Sequence, residues 1–258
     1  RYQALSEGKP FEKSFGDYTT VIAEDRLYKE SDRYREDREY WMRQLKDVEV
    51  VSLTDTAVSH FGDCLLEQSI LPAELWMKAQ KAAKEMKVNV QQLFTAAVAL
   101  YTKRLTSSET VILNIPMMGR LGTSGMNVPC TKMNMVPLRL DINDAATFAE
   151  VCLQVKQQMK KAGKHQFYRH EQLRRDLNLA SDEILYGPQV NFMPFYEEIH
   201  FGKAVGLSEK VATGPVEDIT FNIYGSHEGL HLDIAANSLC YTAQDVKNHA
   251  KRFLKFVN

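Results

Sequence analysis

The spacing of apolar side chains predicts an amphipathic helix near the start of the chain. Over residues 26–46, four large apolar side chains lie close to one helical face, and charged residues fill the remainder. The four are Leu27, Tyr34, Trp41 and Leu45. One face of this helix is therefore expected to pack on a core.

A second helical segment is apolar nearly all round. It extends from Val90 to Arg104. Asn89 before it is a predicted N-cap, because a side-chain oxygen there can accept hydrogen bonds from free backbone amides. A helix that is apolar on nearly every side is expected to be buried.

Shorter segments predict the remaining elements. Strands are predicted over 64–71, 110–116 (a central strand) and 189–195, and helices over 73–86, 147–164, 171–177 and 242–257. Thr147 and Glu150 match a capping box. Residues 219–224 and 230–235 predict a hairpin, because Gly225 and Gly229 bracket a polar turn.

The order of these elements predicts the fold class. Helices and strands alternate without the spacing of a dinucleotide-binding unit, and neither G-x-G-x-x-G nor G-x-x-x-x-G-K-S/T occurs. We expect an α/β sandwich with a mixed sheet and helices packed against it.

Composition narrows the class of partner. The 258 residues carry a net charge of −1, with 44% hydrophobic and 25% charged residues, which argues against nucleic acid or an anionic membrane as the main partner. No stretch approaches the roughly 20 apolar residues of a membrane span.

The four cysteines lie far apart without C-x-x-C spacing; they are Cys64, Cys130, Cys152 and Cys240. That spacing is typical of reduced thiols and predicts a cytoplasmic protein.

Five phrases in the second half of the chain occur in a specific order. They are Gly119-Arg120, Asn134 to Arg139, His165 to Tyr168, Tyr186 to Asn191, and Gly214 to Asp218. Near the start, Phe15-Gly16-Asp17-Tyr18 and Tyr40-Trp41 add two more. As an ordered set they resemble a condensation domain of a nonribosomal peptide synthetase, across essentially all 258 residues.

The resemblance implies how the chain is organised. It suggests one half of the chloramphenicol acetyltransferase-like fold, with a linker and leading helix over 1–48 and an α/β sandwich over 49–258 that includes a crossover hairpin near 214–236. The family's catalytic signature, His-His-x-x-x-Asp-Gly, is absent among the seven histidines. We therefore expect the carboxy-terminal half of such a domain, cut from a longer polypeptide, and assign no catalytic residue.

Further phrases narrow the family. Residues 168–176, 187–191 and 213–218 are most similar to condensation domains of the catecholate siderophore type, which make enterobactin or bacillibactin. The implied reaction is attack by a carrier-bound aminoacyl amine on an acyl thioester. The implied partners are the upstream half, donor and acceptor carrier proteins with their phosphopantetheine arms, and an adenylation domain, with no directly bound cofactor and no metal.

Five residues are candidates for the substrate tunnel. They are Asn134, Arg139, Asn191, Gly214 and Asp218. The two asparagines, set in apolar runs, could donate to the pantetheine arm or could pair with neighbouring backbone. Arg139 could face the acceptor or pair with an acid. Asp218 could orient the amine or brace the crossover, and Gly214 would allow close backbone approach.

A basic run is a candidate surface for carrier docking. It contains Lys161, Lys164, Arg169 and Arg174. Such a surface could bind an acidic carrier protein or its phosphate, or it could be a solvated helix face. Two other functions stay open, namely a non-catalytic docking module and an acyltransferase of the same superfamily acting on a free substrate.

Overall fold

The computed structural model describes residues 2–10, 15–56, 62–180, 183–194, 196, 199–206, 216–226 and 229–258. The helices in these ranges are α1 (Tyr2–Ser6), α2 (Tyr18–Glu30), α3 (Asp32–Leu45), α4 (Ala73–Glu85), α5 (Val90–Thr106), α6 (Phe148–Lys164), α7 (His170–Asp176) and α8 (Ala243–Val257). The strands are β1 (Cys64–Ile70), β2 (Thr110–Met117), β3 (Asn134–Asp141), β4 (Gln189–Met193), β5 (Ile199–Phe201), β6 (Ala204–Gly206), β7 (Ile219–Ser226) and β8 (Gly229–Asn237).

Six strands form one mixed sheet in the order β1-β8-β7-β4-β2-β3. The pairs β1/β8, β8/β7 and β2/β3 are antiparallel, whereas β4 is parallel to both β2 and β7. Strands β5 and β6 form a separate antiparallel pair. The predicted mixed-sheet α/β class and the hairpin, now β7 and β8, are confirmed.

The register of β7 and β8 separates the two faces of the sheet. Phe221 pairs with Ile234, and the next residue, Asn222, pairs with Asp233. Because successive side chains of a strand point to opposite faces, the Phe221 row and the Asn222 row lie on different sides.

Helices pack on the face that carries Phe221. The Phe221 ring lies 4.8 Å from Phe253 of α8 and 6.0 Å from Tyr101 of α5, between ring centroids. Phe94 of α5 lies 6.3 Å from Phe192 of β4 in the same way. Most residues of α5 are buried, which confirms the prediction of an enclosed helix.

The predicted helix over residues 26–46 is wrong in its extent, since two helices occupy this region. Ser31 ends α2 and caps α3 in extended backbone conformation. Its hydroxyl donates to the Tyr28 carbonyl at 2.6 Å and accepts from the Tyr34 amide at 3.3 Å. A serine that satisfies the ends of both helices stabilises a break between them.

The predicted caps at Asn89 and Thr147 are confirmed, and three strands, β3, β5 and β6, were not predicted. Asn89, Thr147 and Thr242 each cap a helix through a reciprocal capping box. The segment that becomes β3 was singled out as one of the ordered phrases and not as a strand, although it pairs with β2 along eight residues. Its pairing partner lies across a long loop, so local sequence pattern carried little signal for it.

Candidate functional site

Side-chain amides line the sheet face opposite α5 and α8. We call this the amide face, defined by Asn114, Gln189, Asn191 and Asn222. The Nδ2 group of Asn191 donates to Oδ1 of Asn222 at 3.2 Å, and Nδ2 of Asn114 donates to Oε1 of Gln189 at 2.8 Å. These pairs join β7 to β4 and β4 to β2, so polar groups cross the middle of the sheet.

The amide face has unused hydrogen-bonding capacity. Asn114 is only 3% exposed, and its Oδ1 accepts no hydrogen bond from the residues that the structure describes. An unpaired buried acceptor costs about 1–3 kcal/mol, so a purely structural role explains this atom poorly.

Polar side chains continue along the same face toward β1. Nε2 of Gln68 contacts Oδ2 of Asp233 and the hydroxyl of Tyr224, both at 3.4 Å. Leu66 and Ile70, which alternate onto this face with Gln68, are 40% and 61% exposed. The β1 end of the face is therefore open to solvent.

Asp218 lies at the start of β7 in a buried hydrogen-bonded cluster. Its Oδ1 accepts from the Ser52 hydroxyl at 2.7 Å and from the Tyr241 hydroxyl at 2.5 Å. Its Oδ2 meets no donor among the described residues. Burial raises the pKa of Asp218 to about 6, although the two hydroxyl donors oppose that shift.

This cluster connects the segment before β1 to the end of the sheet. Burial also raises the pKa of the neighbouring Glu217. Asp218 is therefore poised to change charge in the weakly acidic range. The candidate Gly214 lies outside the described residues.

Asn134 is a buried clamp on the segment between α6 and α7. Its Nδ2 group donates to the carbonyls of Gln166 at 2.9 Å and Tyr168 at 2.8 Å. Its Oδ1 accepts from the amide of His170 at 3.1 Å. Both N–H groups are thus used by backbone, which leaves none to donate to a pantetheine arm.

Arg139 also has protein partners. On β3, its Nε contacts Oδ1 of Asp141 at 3.1 Å, and its terminal nitrogen donates to the Gln44 carbonyl at 3.0 Å. The acid pairing that the sequence left open is present, and it ties the end of α3 to the sheet edge.

The four docking candidates have different environments. Lys161 and Lys164 are exposed on the last turn of α6. Arg169 donates to the Met133 carbonyl at 3.0 Å. Arg174 donates to the carbonyls of Ala180 and Glu183 at 2.9 and 2.7 Å, so it braces the loop after α7 and is not free to bind a carrier.

The Gly119-Arg120 phrase organises the loop between β2 and β3. The Arg120 guanidinium donates to the carbonyls of Gly125, Val128 and Cys130. Gly119 has a φ of +62°, and a Cβ there would lie 2.6 Å from the Lys132 carbonyl oxygen. The arginine and glycine therefore give the loop one defined shape.

Sequence reasoning missed several members of these sites. Asn114, Gln189 and Asn222 were not singled out, although the alternating run Thr220-Phe221-Asn222-Ile223-Tyr224 displays a polar face in period two. Ser52 of the Asp218 cluster carried no local signal, because its partner lies on a distant strand.

The described residues include no metal-binding group of three or more His, Cys, Asp or Glu side chains. Within those same ranges, no helix has the length and hydropathy to cross a bilayer. All four cysteines are free thiols.

The fold belongs to the class of α/β sandwiches with the chloramphenicol acetyltransferase-like architecture, because condensation domains with this architecture superimpose on it along its length. The family model described as "Condensation domain" matches residues 1–258. The chain belongs to the condensation-domain family of nonribosomal peptide synthetases. These domains are acyltransferases that work with the phosphopantetheine arms of carrier proteins.

Similar proteins are much longer than this chain. A dimodular nonribosomal peptide synthase of Bacillus subtilis (strain 168) is 36% identical over 99% of the chain, which corresponds to 11% of that protein. An isonitrile lipopeptide synthase of Streptomyces coeruleorubidus is 32% identical over 95% of the chain and 17% of that protein. Enterobactin synthase component F of Escherichia coli (strain K12) is 28% identical, over 97% and 20% respectively.

Solved condensation domains have the same fold. The first condensation domain of the calcium-dependent antibiotic synthetase superimposes with a TM-score of 0.90 at 31% identity, over 99% of this chain and 57% of that one. The starter condensation domain of rhizomide synthetase, in complex with C8-CoA, gives a TM-score of 0.88 at 30% identity, over 99% and 59%.

Proposed function

We propose that this chain is the carboxy-terminal part of a condensation domain and works with an upstream part that carries the catalytic histidine motif. The support is the coverage, since 99% of the chain aligns with 57% of a solved condensation domain. The His-His-x-x-x-Asp-Gly signature is also absent from the printed sequence. We keep the division into a leading segment, 1–48, and a sandwich, 49–258, as part of this proposal.

The proposed reaction joins a carrier-bound acyl thioester to the amine of a carrier-bound aminoacyl group. The amine must lose a proton before attack, because an α-amino pKa near 8 leaves it mostly protonated at pH 7. Tethering both reactants supplies proximity. The open amide face is the observation that carries a role for this chain as one wall of the substrate path.

Within that wall, Asn191 and Asn222 are assigned the role of hydrogen-bonding to the amide and carbonyl groups of the substrate. Exchanging their mutual hydrogen bond for ligand contacts would cost about 1 kcal/mol, the net contribution of a typical hydrogen bond. We assign Asp218, and Gly214 four positions before it in the sequence, to the crossover that reaches the upstream part. Arg139 and Asn134 brace the edge strand β3 of this wall through their hydrogen bonds.

For carrier docking we assign Lys161, Lys164 and Arg169, whose positive charges suit an acidic carrier surface. The further proposed partner is an adjacent adenylation domain.

We propose an aryl acyl donor and siderophore biosynthesis in the cytoplasm. The siderophore-type phrases and the resemblance to a protein named enterobactin synthase component F support the pathway, and the free thiols support the compartment.

An amide-formation assay tests this function. Aryl-loaded and seryl- or glycyl-loaded carrier proteins are mixed with the chain alone and with the chain extended by its preceding coding sequence. We expect product only from the extended protein. Product from the chain alone would contradict the division of labour, and no product from either would favour a docking module or an acyltransferase with a free substrate.

Two variants of the extended protein test the wall. Asn222→Ala should lower the rate about tenfold, because an oriented hydrogen bond to substrate is lost. Asn248→Ala on α8 removes an equivalent amide away from the face and should leave the rate unchanged. Equal rates for the two variants would exclude Asn222 from the substrate path.

A further inference from the structure

A cleft of about 630 Å³ lies between α2, the loop before β3 and the turn after α6. Its lining includes Tyr18 and Tyr28 on α2, Leu121 on the loop and Phe167 on the turn. None of its lining residues belongs to the amide face. A volume of this size suits a small organic ligand.

The loop wall of the cleft is attached to α2 by one carboxylate. Glu24 accepts from the Ser124 hydroxyl and from Nζ of Lys132, both at 2.9 Å. Hydrogen bonds to Lys132 and Ser124 contribute to a lowered pKa for Glu24, against the opposing effect of burial. The carboxylate is therefore ionised at neutral pH, and the wall is held in place.

The base of the cleft is equally well held. The Gln166 side chain donates to the Gly163 carbonyl at 2.8 Å and accepts from the Gly119 amide at 3.2 Å. The Tyr28 hydroxyl donates to the buried carboxylate of Asp37 at 2.7 Å. Because these groups have partners before any ligand arrives, the cleft is preformed and binding costs little ordering.

Aromatic rings shape the interior. The Tyr28 and Phe167 rings meet edge to face with centroids 6.1 Å apart. The Arg33 guanidinium carbon lies 5.0 Å from the Phe167 ring centroid. A ligand ring bound here would contact the edges of aromatic side chains and a guanidinium cation.

One cationic side chain that lines the cleft has no carboxylate partner among the described residues. Of its four cationic side chains, Lys29 pairs with Asp25 at 2.7 Å, Lys132 with Glu24 at 2.9 Å, and Arg169 with Glu171 at 3.5 Å. Arg33 donates to the Lys164 carbonyl at 3.1 Å and meets no carboxylate among the described residues. A planar guanidinium matches a carboxylate with two parallel hydrogen bonds.

We propose that this cleft is a binding site for a free aromatic monocarboxylate. The ring packs among Tyr18, Tyr28 and Phe167, and the carboxylate pairs with Arg33. One negative charge is expected because one cation lacks an acidic partner. The site takes an untethered ligand and does not depend on the proposed condensation function.

The test uses 2-naphthoate, a fluorescent aromatic carboxylate, and its uncharged analogue 2-naphthamide. Fluorescence anisotropy is followed as the whole chain is added. The wild type should bind naphthoate with a Kd of about 0.1–1 mM and naphthamide about fivefold more weakly.

Three variants locate the site. Arg33→Gln should weaken naphthoate about fivefold and leave naphthamide unchanged, since only the ion pair is lost. Phe167→Leu should weaken both ligands about threefold, since both use the ring face. Arg26→Gln removes an exposed arginine of α2 that lies outside the cleft and should change the affinity for neither ligand.

The outcomes are decisive. Charge-selective loss in Arg33→Gln, together with loss of both ligands in Phe167→Leu, supports the site. The proposal is overturned by absence of saturable naphthoate binding to the wild type. It is equally overturned if Arg33→Gln binds naphthoate like the wild type or loses both ligands equally, or if Phe167→Leu binds both ligands normally.

Discussion

The two faces of the six-stranded sheet differ in what covers them and in the polarity of their side chains. Phe221 and Asn222 are neighbours on β7. Phe221 is packed between α5 and α8, whereas the side-chain partner of Asn222 among the described residues is another amide, on β4. The helix-covered face is a close-packed apolar core. The amide face is polar and opens to solvent near β1.

The comparison indicates that one face of the sheet stabilises the fold and that the other face is available for binding. Apolar burial on the helix face stabilises the fold at roughly 25 cal/mol per Å². The amide face adds little, because hydrogen bonds exchanged with water contribute only about 1 kcal/mol each. Polar groups kept across the middle of a sheet, including an acceptor with no partner, are expected where a ligand or partner surface will meet them.

The largest expected effect comes from the helix face. Phe221→Ala should lower the free energy of unfolding by about 3–5 kcal/mol, because a fully buried ring leaves a cavity. Asn222→Ala should cost less than about 1 kcal/mol. Urea unfolding of both variants measures the difference, and similar losses would mean that the two faces do not divide these roles.

The next effect depends on pH. Burial raises the folded-state pKa of Asp218 from the ordinary aspartate value of 3.8 to about 6, so the folded state holds this proton more tightly than the unfolded chain. The stability it contributes is complete below about pH 4 and is lost as pH rises through about 6, by roughly 3 kcal/mol.

Urea unfolding of the wild type and Asp218→Asn at several pH values checks this dependence. The wild type should lose stability relative to the variant between about pH 4 and pH 6. Glu217→Gln serves as the control for the neighbouring carboxylate, whose pKa is raised in the same direction. Stability curves for the wild type and Asp218→Asn that stay parallel across this range would contradict the assignment.

A smaller effect separates two asparagines that the sequence treated alike. Asn134→Ala should cost about 2–3 kcal/mol, because two carbonyls and one amide lose a buried partner. Asn191→Ala removes a single amide pair and should cost about 1 kcal/mol or less. Thermal melting of the two variants measures this difference in stability. Equal losses for Asn134→Ala and Asn191→Ala would contradict the prediction.

The smallest effect concerns the basic run. Arg174→Gln should cost about 1 kcal/mol, because its two carbonyl contacts disappear. Lys161→Gln should stay within about 0.5 kcal/mol of the wild type and weaken carrier binding if the docking assignment is right. Melting temperature measures the stability of each variant, and titration with a carrier protein measures its binding. If both variants bind the carrier as the wild type does, the basic run is not part of the docking surface.

Local pattern predicted much of the fold. The caps at Asn89, Thr147 and Thr242 depend on contacts within three residues, so their chemistry is visible in the sequence. The break at Ser31 was missed because the charged pattern on both sides continues through it. Strand β3 was missed because its partner lies beyond the loop that Arg120 shapes.

By itself the sequence determined most helices, most strands, the fold class and the family resemblance, because these depend on short-range periodicity and ordered phrases. Only the tertiary structure decided which polar residues are braces and which are available. Asp218 meets Ser52 from 166 residues away, and Asn134 meets backbone 32 to 36 residues on. Burial and hydrogen-bond partners belong to the packed chain, so identical asparagines acquire different roles only when the sheet and its neighbours assemble.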